Sequence, residues 1–435
     1  MMSKHEPLAG NYFVSAYPPF SCWQPDLTPA FRQALDRPAP RDAAAPFGLY
    51  VHIPFCVQRC QYCYYMAYDG QLQEMNGYLS ALNQELSIYV NSPAFAERRL
   101  SFVYFGGGTP SLLSVAQLGR FFDELQNTVA WDSVEEATFE CAPRSVTEIK
   151  LRALREAGIT RLSLGVQQLD DDVLRKNGRV HGVSDTLRAY DRIRQVGFDI
   201  VNLDLIVGLI GETEESFMGS LERIIELAPD SVTIYQLEIP LNTPLYRSIR
   251  ENSLENAPAD WTTKRARLER AFTRLEQAGY SINSAYCAVR DTETCRFVYQ
   301  DAQYRGTDLL GIGVSSFSYM SGFHQQNRTE LSAYMECLSA GELPLGRAYE
   351  LQPSERLVRE FVLQLKLGRV DVAYLRNKYG IDPVKRFSDT LQELRSAGWL
   401  EIESDQVLLT RSGLLRVDRL IPEFYLDEHR GSRYS

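Results

Sequence analysis

Cys56-Val57-Gln58-Arg59-Cys60-Gln61-Tyr62-Cys63 is the stretch from which the rest of the chain is read. Its three cysteines, spaced C-x3-C-x2-C, follow an apolar strand-like run, Gly48-Leu49-Tyr50-Val51-His52-Ile53-Pro54-Phe55. Such a loop can wrap three thiolates around one corner of an iron–sulfur cube. A 4Fe–4S cluster has four irons, so Cys56, Cys60 and Cys63 would leave one iron open to another ligand. Structural zinc wants four N or S ligands. The nearest following candidates for a fourth, Cys141 and His181, lie far along the chain, and His52 precedes the loop on the strand. A disulfide framework fits less well, because a 435-residue chain buries enough core without staples.

The stretch resembles the signature of the radical S-adenosylmethionine (SAM) enzymes. That resemblance implies that the amino and carboxylate groups of SAM chelate the open iron. An electron from the cluster then cleaves SAM to methionine and a 5′-deoxyadenosyl radical.

Size and composition set the outer bounds. A chain of 435 residues holds two or three domains with a large core. The opening Met1-Met2-Ser3-Lys4-His5-Glu6-Pro7 leads into no apolar segment, which predicts no secretory leader. No stretch approaches the roughly 20 apolar residues of a membrane span. Cysteine is sparse, and three of the eight sit in one loop, as expected in a reducing cytoplasm. A net charge of −10 argues against wrapping nucleic acid but not against a basic pocket for an acidic small molecule.

Working outward, residues 47–290 alternate short β-branched runs with helix-period segments. Strands are expected at 49–53, 102–105, 136–141, 161–166, 201–206 and 231–236. Helices are expected at 75–89, 115–125, 146–157, 183–196, 213–227 and 264–278. This alternation signals βαβ units and a parallel sheet, in which chemistry sits at the C-terminal strand ends. Six such units match the partial (β/α)6 barrel of radical SAM enzymes, an α/β fold.

Residues 1–46 show little periodicity, with Pro7, Pro18, Pro19, Pro25 and Pro29 among Tyr12, Phe13, Tyr17, Phe20 and Trp23. Composition alone gives a loosely ordered arm. Residues 291–369 form a connecting segment, with a strand expected at 308–314 and helices at 332–340 and 353–367. From 370 to 435 the order is helix (371–378), helix (383–397) and a hairpin (400–402 with 407–409). That layout resembles a winged-helix module.

Four further motifs fall at strand ends. Phe105-Gly106-Gly107-Gly108-Thr109-Pro110 brings backbone N–H groups close to a ligand. Together with the cysteine loop it matches the radical SAM segment that holds the methionine end of SAM. Thr138-Phe139-Glu140-Cys141-Ala142-Pro143 ends the third strand with a carboxylate, beside which Cys141 reads as a buried thiol rather than a ligand. Gln167 and Asp204 close the fourth and fifth strands, and Arg179 lies twelve residues past Gln167. Gly311-Ile312-Gly313-Val314-Ser315-Ser316-Phe317-Ser318 comes near the C-terminal side.

In order and spacing these motifs resemble the oxygen-independent coproporphyrinogen III dehydrogenase-like (HemN-like) family over nearly the whole chain. The run Leu8-Ala9-Gly10-Asn11-Tyr12-Phe13-Val14-Ser15-Ala16-Tyr17-Pro18-Pro19 resembles that family's N-terminal arm, which folds over the active site. The resemblance implies a 4Fe–4S cluster on Cys56, Cys60 and Cys63 and two SAM molecules. The first would meet Tyr50, Gly107 and Glu140; the second would meet Tyr62, Gly108, Thr109, Gln167, Arg179, Asp204 and Phe317. Asp204 suits ribose hydroxyls and Arg179 a carboxylate.

One departure matters. The family's dehydrogenases carry a fourth cysteine two residues after the last ligand, where this chain has Tyr65, within Cys63-Tyr64-Tyr65-Met66-Ala67-Tyr68. The tyrosines suggest stacking of a flat aromatic substrate, or simple core packing. This variant resembles the family's secondary-metabolism branch of C-methylating and cyclopropane-forming enzymes. The first expectation is therefore transfer of a methylene or methyl unit to an sp2 carbon of an aromatic or heteroaromatic natural product. Tyr62, Tyr65 and Glu238 are candidates for moving a proton there. A one-electron donor such as a flavodoxin or ferredoxin is implied, with a partner methyltransferase as a further candidate. The alternatives are oxidative decarboxylation of coproporphyrinogen III, methylation of a tetrapyrrole that opens heme, and, in another class, a heme-trafficking chaperone.

Overall fold

The computed structural model describes residues 16–38, 47–96, 98–241, 243–251 and 257–431. Residues 8–15 of the arm-like run lie outside them.

β1 (Phe47–Ile53) is buried almost throughout and carries the chain straight to the cysteine loop. A short parallel pair, β2 (Phe55–Cys56) and β3 (Tyr68–Asp69), brackets that loop. Five more parallel strands follow: β4 (Leu100–Gly107), β5 (Glu136–Cys141), β6 (Arg161–Gln167), β7 (Ile200–Val207) and β8 (Ser231–Gln236). Each pairs in parallel with the next in chain order, β1-β4-β5-β6-β7-β8, the order of successive βαβ units. Their continuous apolar runs are those of strands covered on both faces. Phe105, Phe122 and Phe139 lie on one such face, with ring centroids 5.1 and 5.5 Å from Phe105.

The sheet does not close. Beyond β8 come β9 (Ser281–Ile282) and the antiparallel β10 (Cys287–Val289). On the other side β11 (Asp308–Ile312) adds to β1 in parallel. β12 (Phe317–Met320), β13 (Phe323–Asn327) and β14 (Leu345–Glu350) continue antiparallel, giving a sheet of twelve strands among the described residues. The strand expected at 308–314 stops at Ile312 because Gly313 turns the backbone to φ +108°.

Helix ends follow local capping. The helix expected from 146 starts at Glu148, because the Thr147 side chain accepts from the Lys150 N–H. Ser114 and Gln117 form a capping box that starts the helix Val115–Thr128. In the N-terminal segment, residues 28–35 form a helix whose Phe31 and Leu35 are buried in the main core, so this part is more regular than its composition suggests.

The C-terminal module is a winged-helix arrangement. β15 (Arg369–Asp371), β16 (Leu400–Glu403) and β17 (Gln406–Leu409) form an antiparallel sheet ordered β15-β17-β16. Helices Pro353–Leu365, Val372–Tyr379 and Ser388–Ser396 back it, around a core of Leu357, Phe361, Leu391 and Val407. The single helix expected at 383–397 is divided at Phe387, whose ring packs 4.8 Å from that of Phe361. Among the described residues no helix is long and apolar enough to cross a membrane.

Candidate active site at the C-terminal strand ends

The cysteine loop and the glycine turn are one hydrogen-bonded unit. Ile53 at the end of β1 is in register with Gly107 on β4. The Gly108 N–H donates to Ile53 O and the Thr109 N–H to Phe55 O, each at 2.8 Å. A Cβ on Gly108 would come within 2.7 Å of Phe55 O, so no side chain fits there. Gly107 sits at φ +115°, where an L side chain is strained. Thr109 Oγ1 then lies 3.5 Å from Cys56 Sγ.

Within the loop, the Cys63 N–H donates to Cys60 O at 3.3 Å, and Arg59 Nη2 donates to Cys63 O at 2.9 Å. Arg179 Nη1 donates to Cys60 Sγ at 3.3 Å, and its Nη2 to Gly165 O at 2.8 Å. Cys56, Cys60 and Cys63 are free thiols, each partly exposed. Burial pushes the Cys56 thiol up and the Cys63 thiol to about 11, with neighbouring Cys60 adding to both. Three soft donors on one loop, one of them bonded by a fixed guanidinium, are a donor set suited to an iron–sulfur cluster. Beside this loop, Gln167 Oε1 and Arg179 Nε are buried without a hydrogen-bond partner. The residues therefore fit a cluster with a polar ligand beside it.

Two carboxylates stand at the rim. Glu140 on β5 accepts from Tyr104 Oη at 2.7 Å and from the Gly107 N–H at 3.1 Å. Burial raises it to about 7, and the charge of Asp204 adds to the effect. Asp204 on β7 accepts from Ser163 Oγ at 2.9 Å and from Asn202 Nδ2 at 2.8 Å. Burial raises it to about 6. Asn202 is itself oriented, its Oδ1 accepting from Ser231 and Thr233. Gln167 ends β6 at φ +67°, a strained position for a side chain with no partner for its carbonyl.

Aromatic rings line the interior. Tyr50 stacks on Tyr104 with centroids 5.9 Å apart, and Tyr104 packs 4.6 Å from Tyr299. Tyr64 and Tyr65 stack at 4.5 Å, their hydroxyls 3.3 Å apart, and Tyr65 is 44 % exposed. Tyr62 packs against the small apolar cluster of Val173, Ile206 and Leu237. Glu238 lies two residues beyond β8 rather than on it, close enough for its charge to bear on Tyr64 and Tyr65. Phe317 stacks on Phe20 of the N-terminal segment at 4.8 Å and meets Trp23 edge-on.

Sequence reasoning missed Tyr104, Ser163, Asn202 and Tyr299. The available signal was polar residues interrupting otherwise apolar parallel strands: Thr138, Ser163, Asn202 and Thr233.

Comparison with known proteins gives a consistent result. The Radical SAM superfamily description matches residues 50–224, and the HemN C-terminal domain matches residues 351–416. The chain is 31 % identical over 404 residues to the oxygen-independent coproporphyrinogen III oxidase of Salmonella typhimurium, covering 89 % of this chain and 86 % of the relative. It is 29 % identical over 372 residues to the heme chaperone HemW of Bacillus subtilis, covering 84 % and 96 %. The solved coproporphyrinogen III oxidase HemN of Escherichia coli superposes with a TM-score of 0.81 at 27 % identity, covering 95 % of this chain and 96 % of that one. These relatives are oxidases and a heme chaperone. The natural-product C-methylation branch expected from Tyr65 finds no support among them.

Proposed function

This chain belongs to the HemN-like family of radical SAM enzymes, and we propose that its substrate is a propionate-bearing tetrapyrrole, with oxidative decarboxylation of coproporphyrinogen III the reaction to test first. The observation that carries this reading is the match to the HemN structure across 95 % of the chain, C-terminal module included.

When bound, the cluster and SAM supply a one-electron cleavage that yields a hydrogen-abstracting carbon radical. The protein's own residues orient and enclose. Cys56, Cys60 and Cys63 would hold the cluster, with Arg179 and Thr109 donating to their sulfurs. Glu140, fixed by Tyr104 and Gly107, suits an ammonium group. Asp204, fixed by Ser163 and Asn202, suits ribose hydroxyls. That the two carboxylates have separate supports favours two SAM sites: Tyr50, Gly107 and Glu140 in one, and Tyr62, Gly108, Thr109, Gln167, Arg179, Asp204 and Phe317 in the other. Equilibrium binding should then saturate at two SAM per chain. Tyr50, Tyr65 and Tyr299 offer aromatic surface to a macrocycle. An external one-electron donor of the flavodoxin or ferredoxin kind completes the system.

The test is anaerobic reconstitution with SAM and a reductant, followed by mass spectrometry on coproporphyrinogen III. Loss of carbon dioxide and two hydrogens per propionate is expected. An unchanged porphyrinogen, with heme bound one to one and no SAM consumed, would instead assign a chaperone. A second reading rests on Tyr65 standing where the dehydrogenases have cysteine: transfer of a methylene unit to an sp2 carbon. Label from methyl-deuterated SAM appearing in 5′-deoxyadenosine would select it.

A further inference from the structure

Three segments far apart in sequence meet at Cys22, Glu355 and His429. Cys22 Sγ lies 3.6 Å from His429 Nδ1, and His429 Nε2 lies 2.8 Å from Glu355 Oε1. Glu355 is 1 % exposed and held on both oxygens: Oε1 also accepts from Tyr349 Oη, and Oε2 accepts from the Gln352 N–H, each at 2.6 Å. With Nε2–H on the carboxylate, the imidazole presents the Nδ1 lone pair to the thiol. That is the order of a nucleophile, its base and the group that orients the base. A second carboxylate, Glu428, has an oxygen 3.8 Å from His429 Nε2. Cys22 is partly exposed, whereas Cys141, Cys287 and Cys295 are buried.

We propose that Cys22 is a thiol-modification site for low-molecular-weight disulfides. As sulfur attacks one sulfur of the disulfide, the Cys22 proton passes to His429 Nδ1. A new S–S bond forms, the old one breaks, and the departing thiolate takes the proton from the imidazolium. Cys22 is reduced before the step and oxidised after it, with the disulfide as oxidant. Burial and the two nearby carboxylates push the free thiol up, so exchange depends on the base.

The position gives the modification a consequence. Phe20, two residues away, stacks on Phe317 at the rim, and Trp23 stacks on His324 at 4.7 Å. The Tyr17 ring packs 4.7 Å from Tyr425 of the C-terminal tail, and its Oη accepts from the Leu426 N–H. A group attached at Cys22 wedges between this segment and the tail, lifting the segment from the rim.

The experiment treats anaerobically reconstituted holoenzyme with oxidised glutathione and follows each cysteine by peptide mass spectrometry. Cys22 should form the mixed disulfide at least about tenfold faster than the partly exposed Cys337, and His429→Gln should remove that advantage. Equal rates at Cys22 and Cys337 in the unsubstituted protein would overturn the proposal without any variant. So would a faster reaction in His429→Gln, which would make exposure alone the cause. Limited proteolysis within residues 16–24 should accelerate after modification and stay unchanged in Cys22→Ser; no acceleration would overturn the lifting step.

Discussion

Glu140→Gln separates what the rim carboxylate does for the fold from what it does for ligands. Burial holds Glu140 at about 7, against an ordinary 4.5, while Tyr104 and the Gly107 N–H partly offset the rise. The folded chain therefore binds this proton more tightly than the unfolded one. Its stability is greatest below about 4.5 and falls as pH rises through about 7, where the penalty becomes complete. At about 1.4 kcal/mol per pH interval of one, the penalty is at most about 3 kcal/mol. Residual solvent access at Glu140 brings it to about 1–2 kcal/mol. Glutamine carries no such charge. It keeps an acceptor for Tyr104 but turns an N–H group toward the Gly107 N–H, a loss of about 1 kcal/mol at every pH. Thermal unfolding of the cluster-free protein should therefore place the variant below the parent at pH 5 and level with it or above it at pH 8.5. The crossover amounts to a few degrees at most in a chain of this size. The same displacement at both pH values would refute the burial argument, even if SAM binding were lost as expected.

Three further outcomes follow from the geometry. Gly108→Ala drives a methyl group into the Phe55 backbone and strains two 2.8 Å hydrogen bonds, so about 2–4 kcal/mol of stability and most of the bound iron should be lost in melting and iron assays. Arg179→Lys cannot donate to both Gly165 O and Cys60 Sγ, and SAM affinity measured by equilibrium binding should fall about tenfold with iron content retained. Tyr65→Ala removes a half-exposed ring stacked on Tyr64; KM for the proposed tetrapyrrole substrate should rise about tenfold with little change in melting temperature, by steady-state kinetics and calorimetry.

How much of this was legible in the sequence depended on which physical signal each part carries. The six parallel strands read cleanly because burial on both faces makes them short apolar runs. The cysteine loop and the glycine turn stood out by their spacing, and the structure places them side by side. β13 did not: Phe323-His324-Gln325-Gln326-Asn327 is polar yet wholly buried. Part of its polarity is met from distant segments, Asn327 Nδ2 donating to Glu85 Oε1 and Gly313 O and His324 Nε2 lying 2.8 Å from Tyr17 O, while Gln325 bonds Asn327 within the strand and its Oε1 has no partner. No local pattern announces such a strand. Ser163 and Asn202 were missed for a related reason. Ser163 bears on Asp204 only because β6 and β7 pair with Ser163 opposite Asn202 and Gly165 opposite Asp204, a register set by topology, whereas Asn202 bonds Asp204 from two residues away on the same strand.

The division between frame and lining bears on why relatives with different roles share this fold. The cysteine loop, the glycine turn and β1 are bonded backbone to backbone, so a change in any one displaces the others. Tyr65 and Met66 are different: both are among the exposed large apolar side chains, and the Tyr65 ring stacks on Tyr64. Substitution there alters what the opening contacts without moving the sulfurs. The same holds for Phe317, whose ring meets the N-terminal segment by stacking on Phe20 and edge-on against Trp23. Substrate choice can therefore drift along the lining while the electron-transfer frame stays fixed. A tyrosine in place of the dehydrogenases' fourth cysteine is then a change in what the site receives, not in how it is built.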